Sequence, residues 1–228
     1  MNIGRSLVFA FVAPSGPKKL LLGGLFSLLF FLVYFPFVVM GYLMRILCDT
    51  LEGRDAKLPE WSDHKELFHE GLQPILVVLI YVGPAVLLNI FKSFIWIWTG
   101  SNWFLEAVFF VFWLAYFLIS TTLLPLPLIR LVVKSSFSEA FDFNQLIAFI
   151  KANPGNYFTA WGVWLALGAA AGLIGSLLAG IGIFFTGFVA NVIGVHLFAQ
   201  AYRASSPFAD DADGEVRSSL ALPPPLNR

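Results

Sequence analysis

The residues of this chain that could do acid–base or metal chemistry concentrate in one polar stretch, LPEWSDHKELFHEGLQP, from Leu58 to Pro74. Within it, Glu66 and His69 form an E-x-x-H pair, which di-iron bundles use twice, together with further carboxylates on facing helices. Here the pair occurs once. His64 and His69 are five residues apart, which does not place them on one helical face as a zinc-binding H-E-x-x-H helix requires. We therefore expect no metal site in this stretch.

The same stretch carries apolar residues at helical spacing. Trp61, Phe68 and Leu72 recur at seven and four residues, which is typical of one stripe of a helix. Asp63 is a candidate N-cap with Glu66 as its capping-box partner, and Gly71 is a candidate C-terminal stop. This pattern predicts an interfacial helix whose stripe faces the membrane, so the polar stretch is interpreted as a hinge on the cytoplasmic surface.

Ionisable and amide side chains inside apolar segments are the next candidates, because a polar group within a membrane span is functional by default. His196 and Gln200 are four residues apart on one face of the last apolar segment, and Arg45 and Asp49 form an i, i+4 pair at the end of the first. The middle of each predicted span lacks Asp, Glu, Lys and Arg. We therefore interpret these four residues as polar contacts to neighbouring helices near the interface, in preference to a proton or ion path.

A stripe of small residues lies in the segment GVWLALGAAAGLIGSLLAG. Gly168 and Gly172 form a G-x-x-x-G motif that Ser176 extends by one further turn. Small residues at this spacing let two membrane helices approach closely. The motif does not say which helices meet, so it allows packing within the chain or an interface between subunits. We expect packing against the last span, because only a short turn separates the two segments.

Other sites of chemistry are missing from the sequence. It contains no P-loop, dinucleotide-binding glycine pattern, Ser-His-Asp set or cysteine cluster, and Cys48 is the single cysteine. The formal net charge is zero, so no basic footprint for nucleic acid is present. These observations lead us to expect a protein that is not an enzyme, requires no cofactor and binds no nucleic acid.

The elements that must position these residues are membrane spans. The chain is 58% hydrophobic and 12% charged, where a soluble domain has about 25% charged residues. The apolar residues occur in blocks long enough to cross a bilayer. Four of the predicted spans are, in order, Leu72 to Ile90, Trp103 to Leu128, Tyr157 to Leu178 and Ile183 to Tyr202. Between the second and third of these, an apolar stripe of Phe143, Leu146, Ile147 and Ile150 predicts an amphipathic helix that lies on the membrane surface.

The first apolar run, Leu20 to Leu47, has two interpretations. Pro36 near its middle fits either one kinked crossing or two half-helices that enter and leave on the same side. Lys and Arg residues divide ten to four between the two faces if the run crosses, and thirteen to one if it re-enters. The positive-inside rule favours the second arrangement, whereas the length of the run favours the first.

The predicted fold is therefore an all-α integral membrane protein. It comprises a bundle of four or five transmembrane helices, with the first apolar run either crossing or re-entrant, plus two or three interfacial amphipathic helices. Residues 1–203 form a single transmembrane domain in this prediction. Residues 204–228 are polar, acidic in their first half and proline-rich at the end, which predicts a disordered cytoplasmic tail.

Several of these segments together resemble a known family. GYLMRIL, LEGRDAKLPEW, ELFHEGL, FDFNQLIAFIKANPGNYF and the closing HLFAQAYR are similar to the DUF4013 family of prokaryotic membrane proteins, over roughly residues 1–203. The most specific parts are Gly-Tyr-x-x-Arg at 41–45 and LPEW at 58–61. The resemblance implies a multi-span prokaryotic membrane protein, and it implies no activity, cofactor or catalytic residue.

Two functions from different classes fit these observations. The first is a non-enzymatic scaffold or accessory subunit of the prokaryotic cytoplasmic (inner) membrane, which binds lipids, other membrane proteins or further copies of itself. The second is a small transporter or channel for an apolar or amphipathic solute, with broken helices at Pro36 and at Pro125 to Pro127 lining a cavity. A polar-lined cavity at mid-membrane depth would favour the second.

Overall fold

The architecture is entirely helical throughout the described part of the chain. The computed structural model describes residues 1–13, 15–29, 32–54, 57–100, 102–134, 136–178 and 180–205. A short 3-10 helix, Ser138–Phe141, precedes α7. The α-helices are, in order, α1 (Ile3–Val12), α2 (Gly16–Leu28), α3 (Tyr34–Leu51), α4 (His64–Thr99), α5 (Trp103–Leu123), α6 (Pro125–Lys134), α7 (Phe143–Ala152), α8 (Pro154–Leu177) and α9 (Gly182–Arg203).

Five segments are long and apolar enough to cross a membrane, which makes this a multi-pass membrane protein. They are α3, α4, the α5–α6 segment, α8 and α9. The predicted all-α fold is thus confirmed. The spans predicted for α8 and α9 agree with the structure to within three residues at each end, because Asn153 and Pro154 begin α8 and the glycine-containing turn begins α9.

Helix α9 lies at the centre of the bundle and packs against α8, α2, α3 and α1. Its buried side chains include Val192, Leu197, Ala199 and Ala201. Small residues on this helix allow close neighbours: a methyl group built at Gly194 would overlap the indole ring of Trp164 on α8. In a bilayer, where helices gain little from the hydrophobic effect, this close fit provides most of the attraction between them.

The first apolar run forms two helices, α2 and α3, instead of one kinked helix. Helix α2 ends at Leu28 and α3 begins at Tyr34, and Pro36 lies in the first turn of α3, where a proline needs no hydrogen-bond partner. Helix α2 has 13 residues and is about 20 Å long, which is short of a bilayer core of about 30 Å. Whether the run crosses or re-enters stays a prediction.

Helices α3 and α4 make the closest helix crossing in the N-terminal half. A methyl group at Gly41 would overlap the Leu67 carbonyl oxygen, and one at Gly71 would overlap the Phe37 carbonyl oxygen. Each glycine is therefore in contact with the backbone of the other helix. Leu67 is fully buried at this crossing.

The separate interfacial helix predicted from the polar stretch is wrong, since α4 is one continuous helix of 36 residues. Asp63 is its N-cap residue but makes no side-chain cap hydrogen bond, and Gly71 continues the helix. The crossing with α3 explains this difference. Gly71 lies where the backbones of the two helices touch, and α4 continues through it, whereas a glycine without such a contact often ends a helix. Trp61, predicted to face the membrane, is 6% exposed and belongs to the core.

The remaining polar segments follow the sequence more closely. Pro125 begins α6, so the predicted span Trp103 to Leu128 is interrupted where its prolines indicate. Helix α7 has the predicted start, with the Asp142 carboxylate accepting a hydrogen bond from the main-chain N–H of Gln145. Of the predicted apolar stripe, Leu146 is buried in the bundle together with Phe149, whereas Phe143 and Ile147 are exposed; that this stripe lies on the membrane surface stays a prediction.

Both ends of the described chain contact the bundle. Helix α1 buries Ser6, Phe9 and Ala10 as it packs against α9. At the other end, Asn153 donates a hydrogen bond to the Ala204 carbonyl and the Ser205 hydroxyl donates to Ala201, so these first two residues of the predicted tail are in contact with the bundle. The rest of the predicted disordered tail, residues 206–228, lies outside the described residues.

Candidate functional site: the polar centre around the α3–α4 crossing

The polar centre begins at Lys19, a buried lysine in the first turn of α2. Its ammonium group donates to the Leu58 carbonyl oxygen at 2.7 Å and forms an ion pair with Glu60 at 2.5 Å. The Lys19 carbonyl oxygen in turn accepts a hydrogen bond from the Trp61 indole at 3.1 Å. A buried charge is costly unless it is paired and hydrogen-bonded, and the LPEW segment provides both partners.

Tyr42 on α3 joins the same segment from the other side. Its ring stacks on Trp61 with 3.8 Å between centroids and 2° between planes, and its hydroxyl donates to the Pro59 carbonyl oxygen at 3.3 Å. The ring of Phe188 on α9 lies beside both rings, with 6.0 Å between centroids in each case. The loop between α3 and α4 therefore folds back into the bundle, where aromatic contacts and main-chain hydrogen bonds hold it.

Arg45, one turn further along α3, binds two carboxylates of α4. Its guanidinium makes a two-pronged contact with Glu70, at 2.6 and 3.0 Å, and donates to Glu66 at 2.6 Å. Glu66, which was predicted to be the capping-box partner of Asp63, instead forms an ion pair with Arg45. This fork geometry is the strong form of a charge-assisted hydrogen bond, and it links α3 to α4 beside their crossing.

The predicted i, i+4 contact between Arg45 and Asp49 is replaced by other pairs. Asp49 forms an ion pair with Arg54 at 3.1 Å, and Arg54 also binds Glu52 at 2.5 Å. The reason is geometric: two carboxylates of α4 face Arg45 across the crossing, leaving Asp49 to the residues that follow α3. Burial alone would lower the pKa of Arg54, but Asp49 and Glu52 outweigh it and raise that pKa, so the guanidinium stays charged.

These pairs border a cleft of about 630 Å³ between α3, α4 and α6. Its lining includes the apolar side chains of Met44, Leu131 and Val132 and the polar side chains of Arg45, Asp49, Arg54, His69, Glu70 and Gln73. The cleft is therefore amphipathic. Two carboxylates and two guanidinium groups line it, so their formal charges balance and the cleft would favour an amphipathic molecule.

His196 and Gln200 form a second, smaller polar cluster with α1. The His196 Nδ1 atom lies 2.8 Å from the Ser6 hydroxyl, and the Gln200 amide donates to the same hydroxyl at 3.2 Å. Phe9 stacks on the His196 ring with 4.1 Å between centroids. His196 is fully buried. The cluster therefore holds α1 against α9, and it places both residues in contact with a neighbouring helix.

The packing against the last span predicted for Gly168 and Gly172 is not what the structure shows. Among the described residues, no atom of a neighbouring helix lies within 4 Å of a methyl group built at either position. Ser176 is exposed and its hydroxyl donates to the Leu173 carbonyl of its own helix. The α8–α9 contact instead forms at Gly175, which lies against Gly182 and Ile183. This face of α8 points toward α9 near the turn that connects the two helices. An interface between subunits through Gly168 and Gly172 is a prediction that the structure of one chain leaves open.

Sequence reasoning missed Lys19 and Tyr42 as members of the polar centre. Lys19 resembled a flanking charge at the start of an apolar run, and a tyrosine on an apolar helix has no distinctive spacing. The available signal was the LPEW segment, where a proline and a tryptophan bracket one acid inside a charged loop. Such a tryptophan needs an apolar partner and a hydrogen-bond acceptor, which Tyr42 and Lys19 provide.

Comparison with known families gives a match that covers most of the chain. The family model described as "Protein of unknown function (DUF4013)" matches residues 25–180. This range contains both Gly-Tyr-x-x-Arg and LPEW, the two segments that the polar centre brings together, but excludes the closing HLFAQAYR segment that the predicted resemblance included. No curated protein and no solved structure is significantly similar to the chain. Since the matched range covers more than half of its residues, the chain belongs to the DUF4013 family.

Proposed function

We propose that this protein is a non-enzymatic scaffold or accessory subunit of the prokaryotic cytoplasmic (inner) membrane, which binds lipids and other membrane proteins. The observation that carries this proposal is the helical hairpin formed by the second half of α4 and by α5, called the α4–α5 hairpin below (residues 82–119). Its surface is apolar and largely uncovered by the rest of the chain.

The exposure of the α4–α5 hairpin contrasts with that of the central helix. In the most apolar stretch of the α5–α6 segment only 6% of residues are buried, against 56% in α9. Leu87 and Phe91 on α4 and Phe112 and Ile119 on α5 are all more than half exposed. Helix α5 packs against α4 and α6, with Phe91 and Phe109 in contact across the hairpin. Two adjacent spans are thus available to lipid or to helices of another protein.

The polar groups of the bundle support a structural role. Lys19, Arg45 and His196 are each held by side chains or carbonyl groups of neighbouring segments. Lys19 links α2 to the LPEW segment, Arg45 links α3 to α4, and His196 links α9 to α1. Polar groups that are used for contacts between segments, beside two exposed spans, suit a protein that presents a surface to a partner, as a scaffold does.

The proposal is tested by purifying the C-terminally tagged protein in mild detergent at native expression level. We expect a stoichiometric complex larger than the monomer. The double variant Leu87→Ala/Phe112→Ala should release the partner, because both residues lie on the outer surface of the hairpin. The matched control, Leu173→Ala/Leu177→Ala on the exposed end of α8, should retain it. A monomer for the wild type, or equal loss in both variants, would contradict the proposal.

A transporter or channel for an amphipathic solute is the second candidate, favoured by the cleft beside Arg45. This cleft is lined in part by α6, which follows the interruption at Pro125, as expected of broken helices that border a cavity. Purified protein in vesicles should then accelerate uptake of a fluorescent amphipathic cation, and Glu70→Gln should reduce that uptake. Equal uptake by empty vesicles would exclude this candidate for that class of solute.

A further inference from the structure

The end of the α4–α5 hairpin carries two opposite charges in an otherwise apolar surface. Lys92 lies on α4, two turns before that helix ends, and Glu106 lies in the first turn of α5. Both line the same cavity of about 390 Å³, together with Ser93, Trp96 and Ile97. Within the described part of the chain, neither of the two charged side chains has a hydrogen-bond or ion-pair partner.

The surroundings place this cavity at the edge of the bilayer. Trp98 and Trp103 are 87% and 81% exposed, and both lie at the end of the hairpin. Tryptophans concentrate at the membrane–water interface, where lipid headgroups also lie. Phe91 and Phe110 extend the exposed apolar surface from the cavity toward the bundle. A ligand that fills the cavity would therefore have polar groups at the tryptophans and apolar chains along the helices.

From this arrangement we propose that the cavity between Lys92 and Glu106 binds the headgroup of a zwitterionic phospholipid with a primary ammonium group, as in phosphatidylethanolamine. The Lys92 ammonium donates to the lipid phosphate, and the Glu106 carboxylate accepts hydrogen bonds from the lipid ammonium. The aromatic face of Trp96 adds a favourable contact for a cation. Lipid and cavity then neutralise each other, one charge for one charge.

The charge pair also selects among lipid classes. An anionic glycerol headgroup offers a phosphate to Lys92 and hydroxyl donors to Glu106, but it has no cation to balance that carboxylate. A quaternary choline group carries the right charge but has no N–H to donate to a carboxylate. Of these three headgroups, only ethanolamine offers both a phosphate for Lys92 and a cationic N–H donor for Glu106. This inference deepens the proposed function and rests on its lipid-binding part.

Native mass spectrometry of the delipidated full chain, with equal amounts of dioleoyl phosphatidylethanolamine, phosphatidylcholine and phosphatidylglycerol, tests the inference. We expect the wild type to retain phosphatidylethanolamine roughly tenfold more than either competitor, a ratio typical of one charge-assisted contact. Glu106→Gln should abolish the preference over phosphatidylcholine. Lys92→Gln should weaken all three lipids, because all carry the phosphate. The exchanged pair Lys92→Glu/Glu106→Lys should restore the preference.

Two controls make the result specific. Lys65→Gln and Asp63→Asn remove the same kinds of charge from the opposite end of α4 and should leave the preference unchanged. A wild type without preference, or a preference that survives Glu106→Gln, would overturn the inference. If that happens while the partner complex still depends on Leu87 and Phe112, the headgroup site alone is rejected and the scaffold proposal stands.

Discussion

At the scale of single residues, the decisive contacts are those of groups that sequence patterns treat as ordinary. Lys19 is one of two adjacent lysines before an apolar run, yet it is buried while Lys18 is exposed. Its ammonium group holds the LPEW segment by a carbonyl oxygen and a carboxylate. The position of this segment therefore depends in part on one charge inside the bundle.

This dependence gives a prediction for Lys19→Met. The variant keeps an apolar side chain of similar length but leaves the buried Leu58 carbonyl without its donor, at a cost of about 1.5–3 kcal/mol for a hydrogen bond to a charged group. We expect a lower melting temperature in detergent, measured by circular dichroism. Lys18→Met is the matched control and should melt like the wild type. Equal melting of both variants would show that Lys19 does not hold the loop.

At the scale of helices, the sequence predicted the bounds of α8 and α9 and the start of α7, whereas α4 begins before the predicted span Leu72 to Ile90 and ends nine residues after it, at Thr99. Long apolar runs identified α8 and α9, Asp142 identified the start of α7, and Pro125 marked an interruption. These features are local, because they depend on hydrophobic length, caps and the missing amide of proline.

What the sequence did not predict is which surfaces meet. Gly168 and Gly172 have the spacing of a close contact but face no neighbouring helix among the described residues, whereas Gly41 and Gly71 form the crossing without any spacing motif. Trp61 fits an apolar stripe at helical spacing, but it precedes α4 and stacks on Tyr42. Small size and periodicity allow a contact, and only the arrangement of all the helices decides whether it is made.

The glycines therefore give a matched comparison. Gly41→Ala and Gly71→Ala each place a methyl group against backbone of the facing helix, which cannot move aside as a side chain can, and we expect a loss of about 1–3 kcal/mol from overpacking. Gly168→Ala and Gly172→Ala place the same group in open space, and should leave the monomer as stable as the wild type or slightly more so. Thermal unfolding of the four variants in one detergent provides the measurement.

Either of two results would change this account. If Gly172→Ala destabilises the monomer as much as Gly71→Ala does, α8 has a neighbour on that face. If Gly168→Ala or Gly172→Ala reduces the size of a purified oligomer while the monomer keeps its melting temperature, the stripe belongs to an interface between subunits.

At the scale of the whole molecule, the distribution of Lys and Arg predicts which connecting segments between the membrane spans face the cytoplasm. The basic residues concentrate before and at the start of α4 and from Arg130 in α6 to Lys151 in α7, whereas the α4–α5 turn has Lys92 alone nearby. In a Cys48→Ala background, Ser62→Cys and Ser138→Cys should be protected from a membrane-impermeant thiol reagent added to intact cells. Ser101→Cys should react. Labelling at residue 62 without labelling at residue 101 would show that the topology is the reverse of this prediction.

The central claim is that the α4–α5 hairpin presents a surface to a partner protein in the membrane. A photo-crosslinking amino acid placed at Leu87, Phe91, Phe112 or Ile119 in living cells tests it most directly. We predict that those of the four positions that lie on one side of the hairpin crosslink to the same defined polypeptide. A crosslinker at Ile174, which is exposed on α8, should not crosslink to it. Crosslinks to lipid alone at all four hairpin positions would contradict the claim.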